Sequence, residues 1–258
     1  MRTSLLAGVA AVALMPMAAL AADMPLKAPI MAPVGFDWSG FYVGAHIGWA
    51  WSSHSTDSFN GSLAFLDTTS FNSNGFFGGG QGGYNWVFMP NWLLGLEIDG
   101  SPTAISSDTS GCSSTGCATS NVKTDYFTTV RGRLGYTMNN VLFYGTGGWA
   151  GFSGTTTRTI TCVVAGGGTC PGGPSPSALT GMSATSSGFS TGWAAGGGIE
   201  WGFAPRWTAK VEYLHLQFDE VRRDYVYAGF ANAERHNVTK VGDDTVRLGI
   251  NYMFTPGR

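Results

Sequence analysis

Eight ionisable residues occupy positions where a charge is hard to accommodate. Glu97, Asp99, Arg131, Arg133, Glu200, Lys210, Glu212 and Arg247 all lie in stretches where side-chain character alternates residue by residue. Each falls on the face opposite the aromatics of its stretch. Four are acids and four are bases, and stretches that follow one another supply opposite signs. Such a set suits ion pairing inside an enclosed space, because an unpaired charge buried there is strongly destabilising. Catalysis would instead need a nucleophile and base, or an acid–base pair, converging on one site. His215 with Asp219 is the nearest such pair, and no motif supplies it with a serine.

Two other residue types invite a chemical reading. Cys112 with Cys117 and Cys162 with Cys170 form two close-spaced pairs. An even count with local spacing in an exported chain suggests disulfides that staple two loops. A metal site would need further ligands, and neither loop contains a histidine; pairing between the loops stays open. His46 sits mid-strand as a lumenal hydrogen-bonding residue. His54, His215 and His236 are spaced too irregularly for a recognisable metal or haem site, and no cofactor is expected. Gly78-x-Gly80-x-x-Gly83 and Gly145-x-Gly147-x-x-Ala150 imitate a dinucleotide fingerprint but open no helix. Glycine there relieves crowding where a strand bends.

The elements that must position these residues are strands. The closing stretch alternates Val246, Leu248, Ile250, Tyr252 and Phe254 with Arg247, Gly249, Asn251 and Met253, which is the period of two of a strand between unlike surroundings. Seven further stretches repeat the pattern near residues 40–52, 74–88, 92–104, 122–136, 141–153, 188–203 and 206–219. In the fifth, Leu142, Tyr144, Ala150 and Phe152 are assigned to the outward face. In the seventh, the alternation of Trp207, Ala209, Val211 and Tyr213 switches phase at residues 214–218, which predicts a bulge near Leu214 or His215.

Connections sort into tight turns at residues 89–91, 137–140 and 204–205, and long loops at 53–73, 105–121, 154–187 and 220–242. The two kinds alternate strictly. Eight antiparallel strands with short turns at one end and long loops at the other predict an all-β, up-and-down transmembrane barrel. A soluble sandwich would put its apolar face inward, which the placement of the charges opposes. An eight-stranded lumen is just wide enough to be filled by side chains, so a wide diffusion pore is not expected.

The termini and composition agree. Arg2, the apolar residues 5–14 and Ala19-Leu20-Ala21 read as a secretory signal cleaved after Ala21, with Ala22 as the alternative. Residues 22–38, with Pro25, Pro29 and Pro33, read as an extended periplasmic leader; 39–254 as the barrel; and 255–258 as a short tail. With 43% hydrophobic and 12% charged residues, no later stretch is apolar for the roughly 20 residues a membrane helix needs. The near-neutral charge gives no reason to expect nucleic-acid binding.

Trp38-Ser39-Gly40-Phe41-Tyr42-Val43-Gly44, Tyr144-Gly145-Thr146-Gly147-Gly148, Lys210-Val211-Glu212-Tyr213-Leu214 and Val246-Arg247-Leu248-Gly249-Ile250-Asn251-Tyr252 resemble the framework of the small eight-stranded outer-membrane barrels of alphaproteobacteria, related to the OmpA-like barrel domain. The resemblance covers essentially the whole mature chain and implies location in the outer membrane of a Gram-negative bacterium. It also implies that Val246, Leu248, Ile250, Tyr252 and Phe254 match the signal read by the barrel-assembly machinery. Members are chiefly surface proteins linked to envelope integrity and host contact, with some acting as porins or binding haemin. The leading expectation is a non-enzymatic surface protein whose loops meet lipopolysaccharide, outer-membrane lipids or host ligands. The alternatives are a narrow solute channel, a haemin binder or a rim-site enzyme acting on lipid A.

Overall fold

The computed structural model describes residues 36–60, 65–113, 116–163, 180–225 and 235–254. The predicted signal, most of the leader and the tail after Phe254 lie outside them. Every regular element in the described residues is a strand: β1 (Gly40–Asn60), β2 (Phe65–Met89), β3 (Trp92–Ser113), β4 (Gly116–Met138), β5 (Val141–Val163), β6 (Ser183–Ala204), β7 (Trp207–Phe218), β8 (Val221–Tyr225) and β9 (Arg235–Met253).

Each strand pairs antiparallel with its neighbour, and β1 returns to β9 to close the sheet from Tyr42↔Met253 to Asn60↔Arg235. The wall is eight strands around, because β7 and β8 follow one another along the same side of β9. Closure removes the free edges that an open sheet would expose.

Three two-residue turns join β2 to β3, β4 to β5 and β6 to β7 at one end. Asn91, Asn139 and Arg206 occupy them with φ of 70°, 56° and 70°. Asparagine tolerates this left-handed backbone through local hydrogen bonding. At the other end, much of what the sequence suggested as loop is strand. β2 reaches 25 residues and β5 reaches 23, against the roughly 9–11 that cross a bilayer. Alternation fades there because both faces of the extension meet water, and period two is legible only where the faces differ.

The wall separates two environments. Outward face large exposed side chains such as Phe41, Ile47, Trp86, Leu96, Trp201 and Ile250. Above the turns and up to the level of Asp244, no outward-facing strand residue among those described is charged. This apolar belt is far larger than the patches soluble monomers carry.

Two predicted phases are corrected. On β5, Leu142, Tyr144, Ala150 and Phe152 are buried inside while Phe143 and Trp149 face outward. Both faces of β5 carry aromatics, so aromatic content misassigned them. On β7 the register with β6 and β9 runs unbroken through Leu214 and His215, with no bulge. Leu214, Leu216 and Phe218 simply continue the inward face of Lys210 and Glu212. What changes there is the lumen, from ionic to apolar, rather than the phase of the strand.

Candidate functional site

The lumen is packed in three layers. Nearest the turns, Trp38 lies inside against Leu93, Leu142 and Tyr144, with Phe36 and Val87 beside it. The Trp38 indole N–H donates to the Asn139 carbonyl at 3.4 Å. Trp38 thus closes the lower mouth. Nothing in the proline-rich stretch before it signals this, because a single residue entering a lumen leaves no period.

The eight predicted charges form the middle layer, and none is more than 2% exposed. Arg131 is the hub: its guanidinium donates to Glu97 at 2.6 Å, to Asp99 at 2.9 Å and to Glu212 at 3.0 Å. Arg133 donates to Glu200 at 2.6 Å and to the Tyr42 hydroxyl at 2.8 Å, and stacks over the Tyr144 ring at 4.0 Å. Lys210 Nζ donates to both Glu97 oxygens, at 3.0 and 2.9 Å. Arg247 donates to Asp99 at 3.1 Å and lies 5.3 Å from the ring centres of both Phe77 and Phe127. Four carboxylates thus meet four cations, and the layer is formally neutral. Planar guanidinium groups suit it because each can serve several carboxylates at once.

Neutral residues complete the network, and sequence reasoning did not assign them to it. The Tyr42 hydroxyl donates to Glu97 at 2.7 Å and that of Tyr144 to Glu212 at 3.0 Å. Thr129 donates to Asp99, Thr208 to Glu200 and Gln81 to Asn251. His46 is the lumenal residue expected, bonded to Gln81 at 3.1 Å and Ser101 at 2.7 Å. Their inward phase was the available signal. Each lumenal tyrosine also needs a glycine beside it. Tyr42 faces Gly83 across β1–β2 and Tyr144 faces Gly198 across β5–β6. A Cβ on either glycine would lie 2.5 or 2.7 Å from the tyrosine hydroxyl.

Above the charges, an apolar layer of Phe77, Phe127, Phe152, Phe218, Leu214 and Leu216 spans the lumen. Edge-on ring contacts at 4.8 Å (Phe77–Phe127) and 4.6 Å (Phe152–Phe218) knit it together.

The remaining candidates lie towards the loop end. His215 does not pair with Asp219: its ring bonds Asp244 at 2.8 Å, while Asp219 accepts from Thr191 at 3.0 Å. The register places Asp244 directly opposite His215, whereas Asp219 lies past the end of β7. His236 meets Asp224 at 2.6 Å. His54, on the extension of β1, stacks on Phe71 and bonds Ser73 at 3.2 Å; burial lowers its pKa to about 4. Cys117 and Cys162 are each in a disulfide bond, and the side chains of Cys112 and Cys170, the partners the sequence suggests for them, lie outside the described residues. No cluster of three metal-ligating side chains occurs among the described residues. Val246, Leu248, Ile250 and Phe254 are exposed on the outer wall and Tyr252 partly so.

A closed antiparallel barrel that is apolar outside and ionic inside is the architecture of a transmembrane β-barrel. Comparison with known proteins gives the particular family. The outer membrane protein beta-barrel domain matches residues 5–254, and the chain belongs to that family. It is 32% identical to the 31 kDa outer-membrane immunogenic protein of Brucella melitensis biotype 1, over 98% of this chain and all of that protein. It is 26% identical to the 25 kDa outer-membrane immunogenic protein of Brucella abortus biovar 1, over 89% of this chain and 85% of that one. Among solved structures, the outer membrane protein OprG of Pseudomonas aeruginosa superposes with a TM-score of 0.53 at 13% identity, covering 86% of this chain and 99% of that one. The protein is located in the outer membrane of a Gram-negative bacterium.

Proposed function

We propose that this chain is a non-enzymatic surface protein that contributes to envelope integrity through its barrel and meets lipopolysaccharide, outer-membrane lipids or host ligands through its long hairpins. The observation that carries this reading is the filled lumen. An ion-paired layer lies between two apolar ones, so a hydrated solute would have to cross both greasy layers and break buried ion pairs between them. The strand extensions above the membrane belt offer rigid surface instead. The names of the Brucella relatives, outer-membrane immunogenic proteins, support exposure of that surface to a host. In this reading Val246, Leu248, Ile250, Tyr252 and Phe254 form the stretch that the barrel-assembly machinery recognises.

Planar-bilayer recording on the folded full chain tests it. Membranes are expected to stay silent with the wild-type protein, and stepwise conductance would replace this reading with a channel. Lipid A profiles from cells with and without the gene are expected to match; a missing or added acyl chain or phosphate would point to a rim enzyme.

A further inference from the structure

The wall has a seam on its extracellular side. β6 pairs with β7 from Ala204↔Trp207 up to Gly192↔Phe218, and β8 pairs with β9 rather than with β6. The upper part of β6 therefore has no strand ladder on this side. Single bonds bridge the gap: the Asp219 amide donates to the Thr191 carbonyl at 2.8 Å, and Arg223 donates to the Ser186 carbonyl at 3.1 Å. A cavity of about 240 Å³ occupies the seam, lined by residues 187–191 of β6 and 219–223 beyond β7.

The charges around this cavity are unevenly matched. Asp219 accepts a hydrogen bond from Thr191, and Glu220 pairs with Lys240 at 3.8 Å. Among the described residues, neither Arg222 nor Arg223 has a carboxylate within 4.0 Å. Tyr225 and, more weakly, Asp125 favour the charged form of Arg223 without touching it as an ion pair, and Asp125 accepts a hydrogen bond from Thr155 at 3.2 Å. Arg223 is 8% exposed, and its burial pushes the guanidinium pKa down. Gly154 and Gly188 lie beside its nitrogens, with the edge of the Phe152 ring next to Gly154. A buried cation with no carboxylate in contact, beside a cavity, has room for an anionic partner. Arg222 is exposed on the outer face. Next to the mouth, the Phe189 ring lies 6.1 Å from that of Trp149, with Trp193 also facing outward. Aromatics facing outward at this level mark the boundary between hydrocarbon and headgroups.

We propose that this seam binds the phosphate of an outer-leaflet lipid headgroup in the gap of the wall, with Arg222 on its outer side and Arg223 on its lumen side as cationic partners and Phe189 against the lipid's apolar part. The placement at the lipid interface rests on the reading of the chain as a membrane-embedded surface protein. Guanidinium groups bind phosphate through paired, charge-assisted hydrogen bonds. The cavity is smaller than the roughly 300–1,000 Å³ of whole-ligand pockets, and so fits a headgroup rather than an entire lipid. A mouth beside outward-facing rings favours a lipid phosphate over free phosphate.

Native mass spectrometry of the folded full chain in detergent tests this, with bis-phosphorylated lipid A and its dephosphorylated form as probes. The phosphorylated form is expected to bind about tenfold more tightly, since one charge-assisted hydrogen bond supplies that much. The variant R222Q/R223Q should lose the preference, while Arg158→Gln, which removes a cation elsewhere on the rim, should keep it. Folding of each variant is checked by the mobility shift of unheated protein on a gel. Where the double variant does not fold, Arg222→Gln alone should still weaken the preference. Equal binding of both lipids, an unchanged preference in the folded arginine variants, or full displacement by inorganic phosphate would each overturn the proposal. Conductance is read separately: a conducting barrel that still prefers the phosphorylated lipid removes the surface-protein reading and leaves the seam.

Discussion

Arg131 shows what one residue carries in this interior. It serves Glu97, Asp99 and Glu212 together, so Arg131→Met takes one cation from three buried carboxylates at once and leaves the layer with a net negative charge. Loss of one partner from a buried pair costs about 3–5 kcal/mol, and a drop of that order is expected in urea unfolding from phospholipid vesicles. His54 makes the opposite kind of contribution, by staying neutral. Its pKa in the folded protein, about 4, lies below the usual value near 6.5. Its contribution is therefore present above about pH 6.5 and is lost as pH falls through about 4. Its ring signals in NMR should titrate near pH 4, and the β1–β2 extension should become more susceptible to proteolysis as that midpoint is crossed. His54→Asn should remove this dependence. All eight lumenal charges were legible, because charge opposite aromatics has one sensible location in a membrane wall. Tyr42 and Tyr144 were harder, since a tyrosine suits an interface as well as a lumen.

At the scale of the element, a strand declares its faces only where they differ chemically. β3 and β9 alternate acid or base with aliphatic side chains, and their orientation could be read directly. On β5 the inward Tyr144 and Phe152 compete with the outward Phe143 and Trp149, and the apolar count decides nothing. On β7 the switch to inward Leu214, Leu216 and Phe218 imitates a bulge because the lumen itself changes character. The register that resolves both depends on neighbours distant in sequence. Strand pairs also set how much volume a position can hold. Gly83 faces Tyr42 with no room for a methyl group, so Gly83→Ala should destabilise the β1–β2 pair by about 1–3 kcal/mol. The measurement is the temperature at which the mobility shift of unheated protein disappears, which should fall.

For the molecule as a whole, the two apolar layers are redundant seals. Trp38→Ala should lower stability by about 3–5 kcal/mol, as large-to-small changes at buried aromatics do. It should leave bilayers silent, because the phenylalanine layer at the other end stays intact; opening of the barrel by this change alone would show that layer to be permeable. The balanced middle layer has a further consequence for how the barrel is made. Its charges are contributed by β3, β4, β6, β7 and β9, and Glu97 on β3 meets Lys210 on β7 across the closed ring. In an inserted sheet that has not yet closed, the β3–β4 pairs can form, but Lys210 and Arg247 would face hydrocarbon with their partners on β3 still out of reach. Partial insertion is thus disfavoured, and the final joining of β1 to β9 brings the cross-ring pairs of Glu97 with Lys210 and of Asp99 with Arg247 together. The interior makes biogenesis all-or-none, so an incompletely assembled barrel has no comfortable resting state in the bilayer.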